Sequence, residues 1–274
     1  MRNTNVSENS VEKEVKPVAL VTGGRQGLGL GAAKGLALRG FDVAIVDLSE
    51  PDSATDLVLQ ELREFGATAR YYQLDISRVE RHQEVVDQIW EDFGRLDCLH
   101  NNAGIAARPL TDILELSPDA FDRAVDINLR GTFFLSQTVA SRMVEDPDRF
   151  SDGIYRSIII VTSIAAELVS PDRAQYNITK AGLSMLAKIL SYRLGPEGIA
   201  VHEIRPGFMQ TAMTASAGSL EIEAAIADGR VPLSRWGDAD DIGTAVGTLA
   251  SGDLPYMTGQ PIWIAGGLNV VKAT

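Results

Sequence analysis

Short apolar runs alternate with amphipathic segments along most of the chain. Most of these runs lack regular polar interruptions, a pattern typical of strands buried on both faces of a sheet. Predicted strands cover residues 18–21, 41–46, 67–74, 96–100, 157–161, 200–204 and 260–264. Apolar residues at helical spacing predict helices after Gly29 and over 53–65, 79–93, 117–139, 176–194, 220–227 and 240–249. This alternation predicts an α/β fold with a doubly wound parallel sheet of about seven strands and helices on both faces.

The first predicted strand leads into a glycine-rich turn, Gly23-Gly24-Arg25-Gln26-Gly27-Leu28-Gly29, and then into a helix. Glycines let the backbone approach a pyrophosphate closely, and the free N–H groups of a helix N-terminus bind its oxygens. The spacing Gly-x-x-x-Gly-x-Gly differs from the Gly-x-Gly-x-x-Gly fingerprint, and no Lys-Ser/Thr follows as in a Walker loop. The turn therefore predicts a site for a phosphate-bearing ligand, with an ordinary strand-to-helix turn as the alternative.

Asp47 ends the second predicted strand, close to the ~20-residue distance beyond Gly29 at which an acid binds the adenosine ribose. A carboxylate there repels a 2′-phosphate, so Asp47 favours NAD over NADP. Arg25 is the counter-argument, because a guanidinium inside the glycine turn suits a 2′-phosphate. A helix-capping or turn role is the structural alternative for Asp47. The alternation of strands and helices, with no linker or internal repeat, predicts a single-domain Rossmann fold, and the glycine turn with Asp47 predicts a dinucleotide site in which Asp47 favours NAD.

Asp47, Asp75 and Asn101 each stand at the end of a predicted strand. Because the carboxyl ends of parallel strands meet at one edge of the sheet, we expect these polar groups to face the same ligand. The segment 207–236 follows the sixth strand and is rich in Gly, Ser, Ala and Thr. Its length and position predict a substrate lid.

Composition narrows the class of protein. Hydrophobic residues make up 45% of the chain and charged residues 23%, which suits a globular domain. A net charge of −12 without a basic stripe argues against nucleic-acid binding. The single cysteine, Cys98, and the lack of a membrane-length apolar run predict a cytoplasmic protein without a membrane span. Polar residues 1–16 predict a flexible extension before one domain over 17–274, and scattered histidines predict no metal site.

Tyr176 and Lys180 stand at i and i+4, so a helix brings them to one face, and Ser163 lies at the exit of the preceding strand. A hydroxyl, a phenol and an ammonium then surround one point at the ligand edge. Tyrosine, with a pKa of ~10, is a poor base near neutrality, but a nearby ammonium and an oxidised nicotinamide lower that pKa. Together, these three side chains predict hydride transfer at an alcohol carbon. The structural alternatives are that Tyr176 and Lys180 are an exposed helical pair and that Ser163 only caps a helix.

A series of motifs follows the chain in order: Thr22-Gly23-x-x-x-Gly27-x-Gly29, Asp75, Asn101-Asn102-Ala103-Gly104, Asn128, Ser163, Tyr176-x-x-x-Lys180 and Pro206-Gly207. This series resembles the short-chain dehydrogenase/reductase (SDR) family over residues 17–268, in particular 3-oxoacyl reductase-like and sugar or polyol dehydrogenase-like members. The resemblance implies that Tyr176 is the general acid/base and that Ser163 orients the substrate. It also implies that Lys180 binds the nicotinamide ribose and lowers the tyrosine pKa. Asn128 is expected to kink its helix and to hold a water in a proton relay to Lys180.

The glycine turn, the acid at Asp47 and the resemblance together assign the cofactor contacts. They are Gly23, Arg25, Gln26, Gly27, Leu28, Gly29, Asp47, Leu48, Asp75, Ile76, Asn101, Ala103, Gly104, Tyr176, Lys180, Pro206, Gly207, Met209 and Thr211. By the resemblance, Asp75 and Ile76 contact the adenine, Asn101 the adenosine side, and the last four residues line the nicotinamide. Three departures from the family pattern remove no catalytic group: Met209 for Ile or Val, Ala265 for a common Asp, and a long loop at 145–156.

These observations predict an NAD(P)-dependent oxidoreductase acting on an alcohol or carbonyl carbon of a small hydroxylated metabolite, such as a sugar or polyol. A 3-oxoacyl-thioester reductase is the alternative enzyme, although such members commonly use NADPH, which Asp47 disfavours. A non-catalytic dinucleotide-binding protein is a third hypothesis, but such members usually lose Tyr or Lys.

Two further expectations concern partners. Glu167 follows Ser163 by four residues and is a candidate for binding a hydroxyl-rich or cationic substrate, with a surface carboxylate as the alternative. The family resemblance implies a homotetramer, or else a homodimer. In the tetramer, the helices that hold Asn128 and Tyr176 would pack across one interface.

Overall fold

The computed structural model describes residues 15–211 and 219–270. Its strands are β1 (Val18–Thr22), β2 (Asp42–Asp47), β3 (Ala69–Gln73), β4 (Cys98–Asn101), β5 (Arg156–Val161), β6 (Ile199–Pro206) and β7 (Pro261–Ile264). Within the described residues they form one seven-stranded parallel sheet in the order β3-β2-β1-β4-β5-β6-β7. The predicted doubly wound Rossmann fold is confirmed. The strand order reverses between β1 and β4, at the point where such sheets bind their ligands.

Helices cover both faces of the sheet. They are α1 (Gly27–Leu38), α2 (Ser53–Glu64), α3 (His82–Phe93), α4 (Pro118–Ala124), α5 (Thr132–Glu145), α6 (Ala174–Leu194), α7 (Ser219–Ala227) and α8 (Ala239–Ala250). One core cluster fills the space between the sheet and α3, α5 and α6. The second lies between the sheet and α1, α2 and α8. Burial on both faces is the reason that most strands are apolar without alternation.

The predicted helix over 117–139 is divided into three segments. It begins as α4, widens into a π-type turn at Val125–Gly131 and continues as α5. Ser117 caps the first segment, its Oγ accepting a hydrogen bond from the Ala120 N–H at 3.3 Å. The π-type turn surrounds the buried Asn128, so the position that disfavours a regular helix in the sequence is also where the helix departs from α geometry.

Glycines allow α1 and α8 to pack backbone against backbone. A Cβ atom at Gly31 would overlap the Ala239 carbonyl oxygen, and one at Gly35 would overlap that of Gly243. This contact fixes α1, whose N-terminus forms the far side of the glycine-rich turn.

The long loop at 145–156 lies at the amino edge of the sheet, away from the ligand edge. Arg156, the first residue of β5, is almost fully buried there. Its guanidinium donates to Asp146 and Asp152, each at 2.7 Å through Nη2. The loop is therefore attached to the sheet by buried ion pairs.

Two predicted segments are covered only in part. Residues 1–14 of the predicted extension and residues 212–218 of the predicted lid lie outside the described residues. The remainder of the predicted lid contains α7 and the stretch from Asp228 to Trp236. The domain limits and the lid itself remain predictions.

Candidate active site

The glycine turn closes tightly between β1 and α1. Gly23 and Gly27 adopt positive φ angles of 62° and 56°, which favour glycine. A Cβ atom at Gly29 would overlap the Gly23 carbonyl oxygen. Asn102 Nδ2 donates to the carbonyl oxygens of Thr22 and Gly23 at 3.1 and 3.2 Å, so the residue after β4 holds the turn.

The first turn of α1 suits an anion. Among the described residues, the Gln26 side chain makes no capping hydrogen bond, and no acidic side chain lies in that turn. By contrast, Asp52 caps α2 and Asp238 caps α8 through complete capping boxes. The N–H groups near Leu28 therefore present partial positive charge beside a glycine turn, which fits a pyrophosphate.

Asp47 ends β2 beside this turn. Its Oδ2 accepts a hydrogen bond from the backbone N–H of Arg25 at 3.4 Å, and its Oδ1 accepts from the Ser49 N–H at the same distance. Arg25 directs its guanidinium elsewhere, with Nη2 donating to Asp52 Oδ2 at 2.6 Å. The adjacent Leu48 side chain is exposed, as an adenosine-side contact requires.

Asp75 and Ile76 follow β3. Asp75 Oδ1 accepts hydrogen bonds from Ser77 N–H and Oγ–H at 2.9 and 2.7 Å, which fixes its carboxylate at the strand end. Ile76 is buried, and its carbonyl oxygen lies 2.8 Å from Nε2 of His82.

Asn101 ends β4, but its side-chain nitrogen donates to Ser136 Oγ at 2.9 Å. Its amide nitrogen is therefore engaged by α5, and a cofactor contact remains a prediction for its other atoms. The following N–H of Ala103 donates to Thr22 Oγ1 at 3.0 Å, which connects this loop to the glycine turn.

Ser163, Tyr176 and Lys180 come together at the carboxyl end of β5. Ser163 Oγ accepts from the Ala165 N–H at 3.1 Å, at the start of a 3₁₀ turn over Ile164–Ala166. Tyr176 lies in the first turn of α6, where Ser163 is close enough to its phenol to lower the phenol pKa. Lys180 Nζ lies 5.6 Å from the centroid of the Tyr176 ring and donates to the Val161 carbonyl oxygen at 2.8 Å.

Burial controls the ionisation of this group. It raises the pKa of Tyr176, against the smaller lowering effects of the Ser163 hydrogen bond and the Arg173 charge. It also lowers the pKa of Lys180 to about 8. Burial is the largest effect on the Tyr176 phenol, so the lowering of its pKa by Lys180 together with an oxidised nicotinamide remains a prediction.

Asn128 braces the neighbouring loop. Its Oδ1 accepts from the Ile105 N–H at 2.8 Å, and its Nδ2 donates to the Ile105 carbonyl oxygen at 2.9 Å. A Cβ atom at Gly104 would come within 3.0 Å of Asn128 Oδ1. The burial of Asn128 rules out an accidental surface position, while the predicted water relay remains a prediction.

The end of β6 supplies the last predicted contacts. Pro206 ends the strand, and the Gly207 N–H donates to the Ile264 carbonyl oxygen at 3.0 Å. Met209 is buried in the core cluster beside α1 and α8, against Gly237. Thr211 closes the first described segment, so its role beside a nicotinamide remains a prediction.

Glu167 is engaged by an arginine while most of its side chain stays exposed, and its role in substrate binding remains a prediction. Its carboxylate forms an ion pair with the buried guanidinium of Arg205. Arg205 also donates through Nε to the fully buried Glu203 at 2.6 Å. The negative charge of Glu167 therefore attaches the segment after Ser163 to Arg205 of β6.

The described residues contain no group of three or more His, Cys, Asp or Glu side chains that could hold a metal ion. In the same part of the chain, no helix combines the length and the apolar character that crossing a membrane requires.

Comparison with known proteins identifies the family. The model of a family described as enoyl-(acyl carrier protein) reductase matches residues 23–269. The chain belongs to the short-chain dehydrogenase/reductase family. It is 33% identical to the 3-oxoacyl-(acyl-carrier-protein) reductase FabG of Staphylococcus epidermidis, over 91% of this chain and 98% of that protein.

Two solved structures show the same fold as this SDR protein. A 3-oxoacyl-(acyl-carrier protein) reductase from Brucella melitensis in complex with NAD is 42% identical, with a TM-score of 0.90 over 95% of this chain and 100% of that one. Levodione reductase is 27% identical, with a TM-score of 0.83 over 93% and 98%. The predicted enzyme class is confirmed: this SDR is an NAD(P)-dependent oxidoreductase acting on CH–OH or carbonyl groups.

Some structural residues of the site were missed by the sequence analysis. Asn102 was only part of a motif, yet it holds the glycine turn. Asn177, next to Tyr176, donates to the carbonyl oxygens of Ala165 and Leu168 at 2.8 and 2.7 Å. In the sequence, only its position next to the predicted catalytic tyrosine pointed to Asn177. Its two carbonyl partners could be identified only from the folded loop after Ser163.

Proposed function

We propose that this SDR catalyses NAD-dependent hydride transfer between the nicotinamide and an alcohol or carbonyl carbon, with Tyr176 as the general acid/base. The observation that carries the proposal is the convergence of Ser163, Tyr176 and Lys180 at the carboxyl edge of a sheet whose glycine turn fits a pyrophosphate. A bound dinucleotide supplies the hydride donor or acceptor.

The chain's own residues handle the substrate oxygen. Ser163 donates a hydrogen bond to that oxygen and so holds the reacting carbon in place. In the reducing direction, Tyr176 gives its proton to the oxygen, and in the oxidising direction it takes the proton up. The Lys180 ammonium, close to the ring, stabilises the negative charge that Tyr176 gains on giving up its proton.

NAD is the proposed dinucleotide. Asp47 stands at the end of β2, where its carboxylate can bind ribose hydroxyls and repels a 2′-phosphate. The opposing argument from Arg25 is weakened, because its guanidinium is paired with Asp52. A similar protein from Brucella melitensis has been solved with NAD, which supports the same preference here.

Two substrate classes remain in competition, a small hydroxylated metabolite and a 3-oxoacyl thioester. Two observations favour the thioester. The similar proteins from Staphylococcus epidermidis and Brucella melitensis carry that name. The loop after Ser163 also exposes the apolar side chains of Leu168 and Val169, and its carboxylate, Glu167, is engaged by Arg205.

We also propose a homotetramer located in the cytoplasm. An apolar cavity of about 370 Å³ lies on the outer face of α5 and α6, beside exposed side chains of Phe133, Met185 and Ile189. Contact with another copy would cover this face. Cys98 is buried and unpaired, which suits a reducing compartment.

A substrate panel tests the proposal. Sugars, polyols, secondary alcohols and 3-oxoacyl thioesters are each offered with NAD(H) and with NADP(H), and nicotinamide absorbance is followed. The proposal predicts turnover of at least one class with a preference for NAD(H). Turnover that clearly prefers NADP(H) would contradict the cofactor assignment, whereas turnover confined to sugars would contradict the thioester preference.

A further inference from the structure

Arg25 and Asp52 form an ion pair at the adenosine end of the proposed site. Arg25 belongs to the glycine turn, and its backbone N–H already contacts Asp47. Its guanidinium reaches Asp52 Oδ2 at 2.6 Å and is mostly covered, with 21% of the side chain exposed. Tyr71 lies beside the same charges, which include both carboxylates and the guanidinium. The cluster therefore combines two negative charges with one positive charge.

Asp52 uses its two carboxylate oxygens for different tasks. Oδ1 accepts from the N–H groups of Ala54 and Thr55 at 2.9 and 3.0 Å and caps α2. Oδ2 receives Arg25. Because the cap fixes the carboxylate on α2, Asp52 offers Arg25 a partner of fixed position.

Resting on the proposed NAD function, we propose that Asp52 is a second determinant of dinucleotide choice, which withholds the Arg25 guanidinium from a 2′-phosphate. Without Asp52, the same guanidinium would lie beside the ribose end of the site, with Asp47 and the Tyr71 hydroxyl as its neighbours. The cluster would then be neutral overall instead of negative. A 2′-phosphate, which carries about two negative charges, would gain both an unpaired donor and a weaker repulsion.

Asp52→Asn separates the two tasks of the side chain. Asparagine caps helices as well as aspartate does, so α2 keeps its cap while the charge opposite Arg25 is removed. We expect NADP to bind about tenfold more tightly to D52N than to the wild type, with NAD affinity changed by less than about twofold. The measurement is isothermal titration calorimetry of the full chain with each dinucleotide, without substrate.

Two further variants identify the cause. Asp56→Asn removes an equal charge from the first turn of α2. Among the described hydrogen bonds and ion pairs, Asp56 has no contact with Arg25. This substitution should therefore leave the NADP affinity unchanged. In the double variant R25A/D52N, the gain in NADP affinity should disappear because the donor is missing. The gain in D52N should also shrink at high salt, since the contact lies near the surface.

Each contrary result has a separate meaning. An unchanged NADP affinity in D52N would overturn the inference, as would an equal gain in D56N or a gain that survives in R25A/D52N. Failure of the wild type to bind NAD at all would instead overturn the proposed function.

Discussion

Burial sets the ionisation of the central residues of the site. Desolvation raises the pKa of Tyr176, whereas it lowers that of Lys180 to about 8. Near neutral pH the phenol therefore holds its proton and the lysine is mostly charged. A protonated phenol beside a charged ammonium fits the proposed role of Tyr176 as the proton donor to a carbonyl oxygen.

Removal of the phenol hydroxyl tests this assignment. Tyr176→Phe keeps the aromatic ring but has no proton to transfer, so we expect turnover to fall by about 10²–10⁴-fold. NAD binding, measured by calorimetry, should weaken far less than turnover, because the glycine turn and the other predicted cofactor contacts are intact. Unchanged turnover of a substrate found in the panel would show that another group handles the proton.

His100 is a residue whose protonation affects stability. It lies on β4 between Val21 and Ile159, and neither ring nitrogen has a partner among the described residues. Burial lowers its pKa to about 3, against ~6.5 in the unfolded chain. The unfolded state therefore binds more protons below pH ~6.5, so this contribution to stability is complete above that pH and is lost as the pH falls.

His100→Leu tests this linkage. The wild type should lose about 1.4 kcal/mol of unfolding free energy per pH unit below ~6.5 through this residue, and the variant should lose correspondingly less. Urea unfolding at several pH values between about 7 and 5 measures the difference, and contributions from carboxylates common to both proteins cancel. Parallel pH profiles for the two proteins would contradict the prediction.

At the scale of elements, the contact between α1 and α8 determines where the glycine turn stands. The two helices approach so closely that the Gly35 and Gly243 backbones are in contact. No side chain fits between them, so any added atom must move one helix. A displacement of α1 would also displace the N–H groups that are proposed to bind the pyrophosphate.

Gly35→Ala should therefore reduce both stability and dinucleotide affinity. We expect a loss of about 1–3 kcal/mol from overpacking, measured as a lower Tm, together with weaker NAD binding in calorimetry. Gly195→Ala is the matched control, because Gly195 has a helical φ of −53° and open space around its Cβ position. A similar loss in both variants would mean that the close contact of α1 with α8 is not the cause.

At the scale of the whole molecule, the outer face of α5 and α6 is apolar, and parts of it stay exposed in the single chain. Met185 and Ile189 are about half exposed beside the cavity on this face. Exposed apolar surface of this kind is a mark of protein–protein contact. The proposed tetramer would bury it.

Ile189→Asp should dissociate that assembly. A charge buried without a partner at an interface is costly, so the mass in solution should fall from four times the 29.5 kDa chain to a smaller multiple. Light scattering after size-exclusion chromatography gives the mass. Leu57→Asp on the exposed face of α2 is the control, and dissociation of that variant as well would argue against this face as the interface.

The sequence by itself determined the succession of strands and helices along the chain, and it predicted the residues of the candidate site. Uninterrupted apolar runs predicted strands buried on both faces. The strand ends at Asp47 and Ser163, and the helix that follows Ser163 with Tyr176, predicted that these residues lie at one edge of the sheet. These features are local or follow from the rules of parallel sheets, so a single sequence is enough.

Only the tertiary structure decided the partners of the charged groups. Residues 25 and 52, or 167 and 205, are distant in the chain, and nothing in the local pattern indicates that they meet. The same holds for the pKa of Tyr176, because the desolvation that raises it depends on everything packed around the ring. Arg25, ambiguous in the sequence, is paired with Asp52 because the cap of α2 places a carboxylate beside the glycine turn.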